Sequence, residues 1–276
     1  MTGTRAFAFD YEHSGKLDHV VIYSPEYASC AIIKPRSTMR TVFWSKAGWR
    51  QVPGEKWLVV GDGLGPFDLQ KKEARMFSFD YDHSGKQDHL ACYEPGHGTF
   101  MILKHDGSKP EFTEVYRSND GIGGYNMRPL GTRCFAFDYN SSGKCDHIVL
   151  YEPGSGTIWI VKHGSNNEFS AVYQQGCPGS GIADCTLQAP SERLFAYDFK
   201  RTRKMDHLVV TNVDVSREFA VLQNNGGTFS TILRISGGVA GFNMGSPLDR
   251  IVPVDMRGPS GNSGQLILYR PGETAF

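Results

Sequence analysis

Residues 75–89 read Arg75-Met-Phe-Ser-Phe-Asp80-Tyr-Asp82-His-Ser84-Gly85-Lys-Gln-Asp88-His89. An arginine opens an alternating apolar run, an acidic loop with a glycine follows, and Asp-His leads into a second apolar run. The same text recurs along the chain. Arg5-Ala-Phe-Ala-Phe-Asp-Tyr11, Arg133-Cys-Phe-Ala-Phe-Asp-Tyr139 and Arg193-Leu-Phe-Ala-Tyr-Asp-Phe199 align with it, and Arg250-Ile-Val-Pro-Val-Asp-Met256 is a weaker fifth copy. The aspartates stand at 10, 80, 138, 198 and 255, in steps of 70, 58, 60 and 57 residues.

Each repeat carries four strand signals. In the third copy, strand A is the Arg-x-Phe-Ala-Phe run and strand B is His147-Ile-Val-Leu-Tyr151. The turn Glu152-Pro-Gly-Ser-Gly156 follows, then strand C (Thr157-Ile-Trp-Ile-Val161) and strand D (Phe169-Ser-Ala-Val-Tyr173). Short aromatic and β-branched runs joined by Gly and Pro turns indicate antiparallel sheet. Four strands per repeat at this period indicate propeller blades. The expected fold is all-β, a five-bladed β-propeller with an incomplete last blade. One domain spans 1–276, with blades near 5–74, 75–132, 133–192, 193–249 and 250–276.

The linker from strand D to the next strand A also repeats, as Gly63-Leu-Gly-Pro-Phe-Asp-Leu69, Gly121-Ile-Gly-Gly-Tyr-Asn-Met127 and Gly238-Val-Ala-Gly-Phe-Asn-Met244. The copy at Gly181-Ile-Ala-Asp-Cys-Thr-Leu187 is altered. Blade one carries an insertion before its linker, about Ala47 to Val60, with Trp49 and Trp57; Trp44 is assigned to its strand D.

Composition excludes several classes. The 276 residues hold 29 Lys+Arg against 29 Asp+Glu, which gives no electrostatic case for nucleic acid or an anionic membrane. No apolar run approaches the roughly 18 residues that span a bilayer. The repeat begins just after Met1, which leaves no room for a signal peptide. Several of the six cysteines stand where other repeats carry Ala, Met, Leu or Gln, so they read as small apolar residues in a reduced, cytoplasmic protein.

The loops place oxygen donors at positions one, three, five and nine and a Gly at six, a pattern suited to a hard cation. The donors are Asp10, Glu12, Ser14 and Asp18 in blade one, Asp80, Asp82, Ser84 and Asp88 in blade two, and Asp138, Asn140, Ser142 and Asp146 in blade three. Blade four has Lys200 at position three and Arg203 at the glycine position. The alternative is a metal-free turn in which the first Asp accepts backbone N–H groups. The histidine after each loop (His19, His89, His147, His207) recurs at one blade position, which argues for packing. The pattern resembles the calcium loops of integrin-type FG-GAP and VCBS repeat propellers. That resemblance covers almost the whole chain and implies the fold, with calcium, where bound, in a structural role.

Strand A should begin at one face of the disc and end, with its loop, at the other. Arg5, Arg75, Arg133, Arg193 and Arg250 are then expected around one mouth of the channel. Phe67, Asp68, Tyr125, Asn126, Phe242 and Asn243 of the linkers, with Trp49 and Trp57 of the insertion, should join them. An aromatic cup with guanidinium groups suits a small hydrophobic or oxygenated ligand, or a glycan. Linker carbonyls are the competing use for these arginines. No GxSxG, HExxH or nucleotide loop is present. Three readings follow: a cofactor-independent cyclase using Arg75, Arg133 and Tyr125 to hold and polarise a reactive ligand, a lectin, or a protein-interaction scaffold. In size and character the chain is similar to small fungal biosynthetic cyclases of the hetero-Diels–Alderase type and to fungal propeller lectins.

Overall fold

A computed structural model describes residues 5–33, 58–61, 63–106, 111–175, 180–213, 216–254 and 264–270. It is an all-β propeller with four four-stranded antiparallel blades and a fifth, two-stranded one. Blade one comprises β1 (Arg5–Phe9), β2 (His19–Ser24), β3 (Ser29–Ile33) and β4 (Leu58–Gly61). A short linker hairpin, β5 (Gly63–Leu64) and β6 (Phe67–Asp68), leads to blade two, with β7 (Arg75–Phe79), β8 (His89–Glu94), β9 (Thr99–His105) and β10 (Phe112–Ser118). Blade three holds β11 (Arg133–Phe137), β12 (His147–Glu152), β13 (Thr157–His163) and β14 (Phe169–Gln175). Blade four holds β15 (Glu192–Tyr197), β16 (His207–Asn212), β17 (Glu218–Asn224) and β18 (Phe229–Ser236), and blade five has β19 (Arg250–Val254) and β20 (Gln265–Tyr269).

The chain divides into two compact units, Met1–Leu130 with Gly164–Glu168, and Gly131–His163 with Phe169–Phe276. Within each, burial explains the strand sequences. Every residue of β8 is buried, as are all of β12 and β16 but the last, so these strands read as continuous apolar runs. The outer β18 alternates half-buried and exposed positions, as one solvated face requires. The ladder between third and fourth strands carries a register shift in blades two, three and four. Such bulges twist an outer edge away from pairing with other chains.

Adjacent blades are latched by backbone groups. Tyr23 Oη accepts the N–H of Met76 at 3.0 Å in the first unit, and Tyr151 Oη accepts that of Leu194 at 3.0 Å in the second. The loops repeat the device: the N–H of Asp10 donates to Gln87 O at 3.2 Å, and that of Asp138 to Met205 O at 3.1 Å.

The insertion of blade one lies elsewhere than the sequence suggested. Its fourth strand is Leu58–Gly61, paired with β3 through Ile32↔Leu58 and Ser29↔Gly61. The extra residues therefore fall between third and fourth strands. In an up-and-down sheet that connection springs from the loop end of the blade, not from the linker end. Trp44, Trp49 and Trp57 lie outside the described residues.

The described cysteines, Cys30, Cys92, Cys134, Cys145 and Cys185, are all free thiols. Cys30 and Cys92 are wholly buried in the first unit's core. Burial pushes the Cys30 thiol up to about 12 and raises that of Cys92 well above its ordinary value. Since the thiolate is the reactive form, neither should react with Ellman's reagent in the folded protein at neutral pH, and both should in denaturant. Rapid labelling of the native protein would contradict this packing.

Candidate functional site

The acidic loops close on themselves. Asp10 Oδ1 accepts the N–H of Ser14 at 2.8 Å and Oδ2 that of Gly15 at 2.6 Å. Asp80 does the same for Ser84 and Gly85 at 2.9 and 2.8 Å, and Asp138 for Ser142 and Gly143 at 2.8 and 2.6 Å. In blade four Asp198 holds the N–H groups of Thr202 and Arg203 at 2.8 and 2.6 Å. Arg203 keeps a left-handed backbone (φ 64°) where the other loops have glycine. Identical closure without the cation-like donors suits a self-supporting turn better than an oxygen cage. The lateral donors Glu12 and Asn140 are exposed.

The position-nine carboxylates face the histidine that follows. His Nδ1 lies 2.7 Å from Asp18, 2.8 Å from Asp88, 2.6 Å from Asp146 and 2.7 Å from Asp206. All four histidines are buried, each against the ring of Tyr11, Tyr81, Tyr139 or Phe199 at 5.3–5.7 Å. This Asp-His-aromatic unit is the packing role that recurrence at one position implies.

At the other end of the blades stand the arginines. They share one register position, opposite Tyr23, Tyr93, Tyr151, Thr211 and Tyr269. In the first unit Arg5 Nη1 donates to Ala74 O at 2.7 Å, and Arg75 Nη2 to Leu130 O at 3.4 Å. In the second, Arg193 Nη1 donates to Pro190 O and Glu192 O at 2.8 and 2.7 Å. Arg250 Nη1 donates to Pro247 O and Asp249 O at 3.0 and 2.9 Å. Arg133 is half-buried opposite Tyr151. Arg5, Arg75, Arg193 and Arg250 thus spend at least one N–H on a linker carbonyl.

The linkers are compact turns. Ile122 bridges Tyr125, Ile182 bridges Cys185 and Val239 bridges Phe242, so the altered copy keeps the common geometry. A Cβ on Gly121, at φ 89°, would sit 1.9 Å from Tyr125 O, which is why glycine opens the motif. Phe67 and Tyr125 are buried at 1 % and 4 % exposure, Phe67 within the first unit's core, so their rings pack inside instead of facing a ligand. Phe242 is half-buried and Asn243 exposed. Asp68 Oδ1 accepts the N–H of Gln70 at 2.8 Å, and Asn126 Oδ1 that of Arg128 at 3.0 Å, both local turns. The glycine turns dock on these linkers through Gly96 N–H to Arg128 O (2.8 Å) and Gly154 N–H to Leu187 O (2.9 Å). Trp49 and Trp57 lie outside the described residues.

Sequence reading missed three partnerships: the tyrosine latches, His13 with Asp88, and Arg270 with Asp249. Recurrence of Tyr before the second turn (Tyr23, Tyr93, Tyr151, Tyr269) was a usable signal for the first.

No family model matches the chain, and no curated protein matches it either. Solved structures similar to it include three proteins. One is a functionally unknown protein of Desulfotomaculum acetoxidans, 10 % identical over 97 % of this chain and 88 % of that one, with a TM-score of 0.47. Another is the Cps50 (Swd1) β-propeller domain of Myceliophteria thermophila, at 10 %, 82 %, 59 % and 0.43. The third is the periplasmic gluconolactonase of Pseudomonas aeruginosa, at 10 %, 84 %, 55 % and 0.39. The chain spans little more than half the length of that gluconolactonase. These likenesses concern the fold. Among the described residues, no helix is long and apolar enough to cross a membrane.

Proposed function

We propose that this protein is a ligand-binding β-propeller of the FG-GAP/VCBS repeat type. Its ligand, an oxygenated small molecule or a glycan, meets the linker ends of the first strands. The observation that carries the reading is the register of the arginines. Arg5, Arg75, Arg133 and Arg250 open the first strands of their blades and Arg193 stands one residue inside its own, and four of the five face a tyrosine across the ladder. A guanidinium held by one Nη on a backbone carbonyl is already oriented. Ordering it around a carboxylate, an enolate or sugar hydroxyls then costs little.

The cyclase reading is the finer form of this proposal. It assigns Arg75, in the first unit, the polarising of a reacting oxygen. Tyr125, a buried ring, supports the linker in that reading and donates no proton to the ligand. The lectin reading uses the same guanidinium groups for sugar hydroxyls, and turnover of the bound ligand separates the two.

A glycan array, with calorimetric titration of benzoate, citrate and an enolisable 1,3-diketone, tests the proposal. One class should bind, and Arg75→Gln should weaken it at least tenfold while stability stays within about 1 kcal/mol, the scale of one hydrogen bond. Absence of any binder, or a binder indifferent to both Arg75→Gln and Arg5→Gln, would overturn it.

A further inference from the structure

The loop of blade four departs from the repeat in one direction. Three positions hold Glu12, His13 and Gly15 in blade one, Asp82, His83 and Gly85 in blade two, and Asn140, Ser141 and Gly143 in blade three. In blade four all three are cations: Lys200, Arg201 and Arg203. Lys204 is common to the four loops, as Lys16, Lys86 and Lys144. The result is Lys200-Arg201-Thr202-Arg203-Lys204, with Lys200, Arg201 and Arg203 exposed and Lys204 half-buried.

The carboxylates of this loop and of its neighbour in blade three leave that charge unanswered. Asp198 and Asp138 are buried on the N–H groups of their own turns. Asp206 and Asp146 lie against His207 and His147. In blades one and two, by contrast, Glu12 and Asp82 stand exposed at the position Lys200 occupies.

Loop folding does not account for the arginines. Asp198 closes the turn as Asp10, Asp80 and Asp138 close turns that lack them. The two lysines anchor the loop: Lys204 Nζ donates to Ser141 O at 2.7 Å, and Lys200 Nζ to Gln223 Oε1 at 3.3 Å. Neither guanidinium of Arg201 and Arg203 has a hydrogen-bond or ion-pair partner among the described residues. Both arginines also sit at positive φ, 57° and 64°. The equivalents of Arg203 are Gly15, Gly85 and Gly143, and a left-handed backbone disfavours any residue with a Cβ. A side chain kept there against that cost, with all its side-chain donors unused, points to a ligand.

Two guanidinium forks on one tight turn set the chemistry. A carboxylate presents two oxygens and is satisfied by one fork. A phosphate group has three acceptor oxygens and up to two negative charges, and can engage both. The cations are confined to one turn, whereas a nucleic-acid strand needs a charged track.

We propose that Arg201 and Arg203 bind a phosphate-bearing anion of two or more charges, free or as a lipid headgroup, with Lys200 and Lys204 steadying the loop. The site lies at the loop end of blade four and is independent of the ligand reading at the linker ends.

The test titrates sodium triphosphate into the full chain by calorimetry at ~0.15 M ionic strength, where exposed charges more than about 8 Å apart are screened. Triphosphate should bind at one equivalent, and a poly-glutamate peptide much more weakly. Arg203→Gly should weaken triphosphate at least tenfold while keeping or raising the melting temperature, because it removes the cation and the strained Cβ together. Arg201→Gln should weaken it comparably, and Lys16→Gln in blade one should leave it unchanged. Phosphatidylcholine vesicles with and without phosphatidylinositol bisphosphate separate the two sources. Retention on the phosphorylated vesicles alone, competed by triphosphate, assigns a headgroup; triphosphate binding without retention assigns a soluble ligand. No stoichiometric triphosphate binding, binding unchanged in both arginine variants, or equal binding of poly-glutamate would each overturn the proposal. So would a lower melting temperature in Arg203→Gly, which would make the arginine structural.

Discussion

Asp138→Ala is expected to destabilise the fold by about 3 kcal/mol, read as a lower urea midpoint at unchanged slope. Two effects oppose each other at this residue. The carboxylate is fully buried, and burial raises its pKa above the ordinary carboxylate range despite the N–H groups of Gly143 and Ser142 that pull it down. If that burial cost decided the outcome, alanine would stabilise. Against it stand hydrogen bonds from Ser142 N–H at 2.8 Å, Gly143 N–H at 2.6 Å and Ser142 Oγ at 3.2 Å. Bonds to a charged acceptor contribute about 1.5–3 kcal/mol each. They also hold two residues at positive φ, Ser141 at 54° and Gly143 at 86°. Alanine leaves the N–H groups of Ser142 and Gly143 without their acceptor, so the loop opens when the carboxylate goes. Asp138→Asn keeps one acceptor and should lose about half as much; the exposed Asn140→Ala should change little. Since the closure needs no cation, added Ca²⁺ should not shift the wild-type midpoint. A stabilised alanine variant, or a midpoint that rises with Ca²⁺, would return the loop to the cation reading.

The first two strands of each blade were legible because buried strands leave strong traces. Phe-x-Phe-Asp before the loop and an apolar run after Asp-His mark them in blades one to three, and a near variant marks them in blade four. The fourth strand of blade one was not legible. Its partner strand β3 could take either Thr41-Val-Phe-Trp44 or Leu58-Val-Val60, and only the observed register chooses the second. The candidate site was legible by position but not by partner. Each arginine announces itself at the head of its strand, yet the carbonyl it meets belongs to a linker with no side-chain signal. His13 and Asp88 are 75 residues apart, and their 2.7 Å contact depends on how one loop leans on the next.

Arg270→Met is expected to release the two-stranded fifth blade, at a cost of about 3–5 kcal/mol for breaking a buried pair. Arg270 grips Asp249 with Nε on Oδ1 at 2.6 Å and Nη2 on Oδ2 at 3.1 Å, and Nη2 also donates to Asn243 O at 3.2 Å. Asp249 is 2 % exposed. The pair ties the end of β20 to the linker before β19, in the one blade that lacks third and fourth strands among the described residues. Blade three has Thr132 and Glu152 at these positions and blade four Glu192 and Asn212, so the pair is private to blade five. Burial raises the pKa of Asp249, but the hydrogen bonds from Arg270 and Ser246 N–H, with the charges of Arg270 and Arg250, outweigh it and hold the carboxyl below its ordinary value. A depressed carboxyl stabilises the fold above the unfolded pKa of about 3.9. That contribution fades as pH falls through the lower folded value, so the variant should lose this part of the acid limb. Removing only the arginine leaves a buried carboxylate facing no cation, whereas Asp249→Asn with Arg270→Met removes both charges and should recover at least half the loss. Hydrogen exchange gives the local readout. Amides of Ile251 and Ile267 should exchange more than about a hundredfold faster in Arg270→Met, with those of β8 unchanged. The Arg270 side chain keeps 24 % of its surface in water. If that contact screens the pair, the variant will fall within about 1 kcal/mol of wild type, and the fifth blade must then be held by Ile251 and Leu266 packing against the core of blade four.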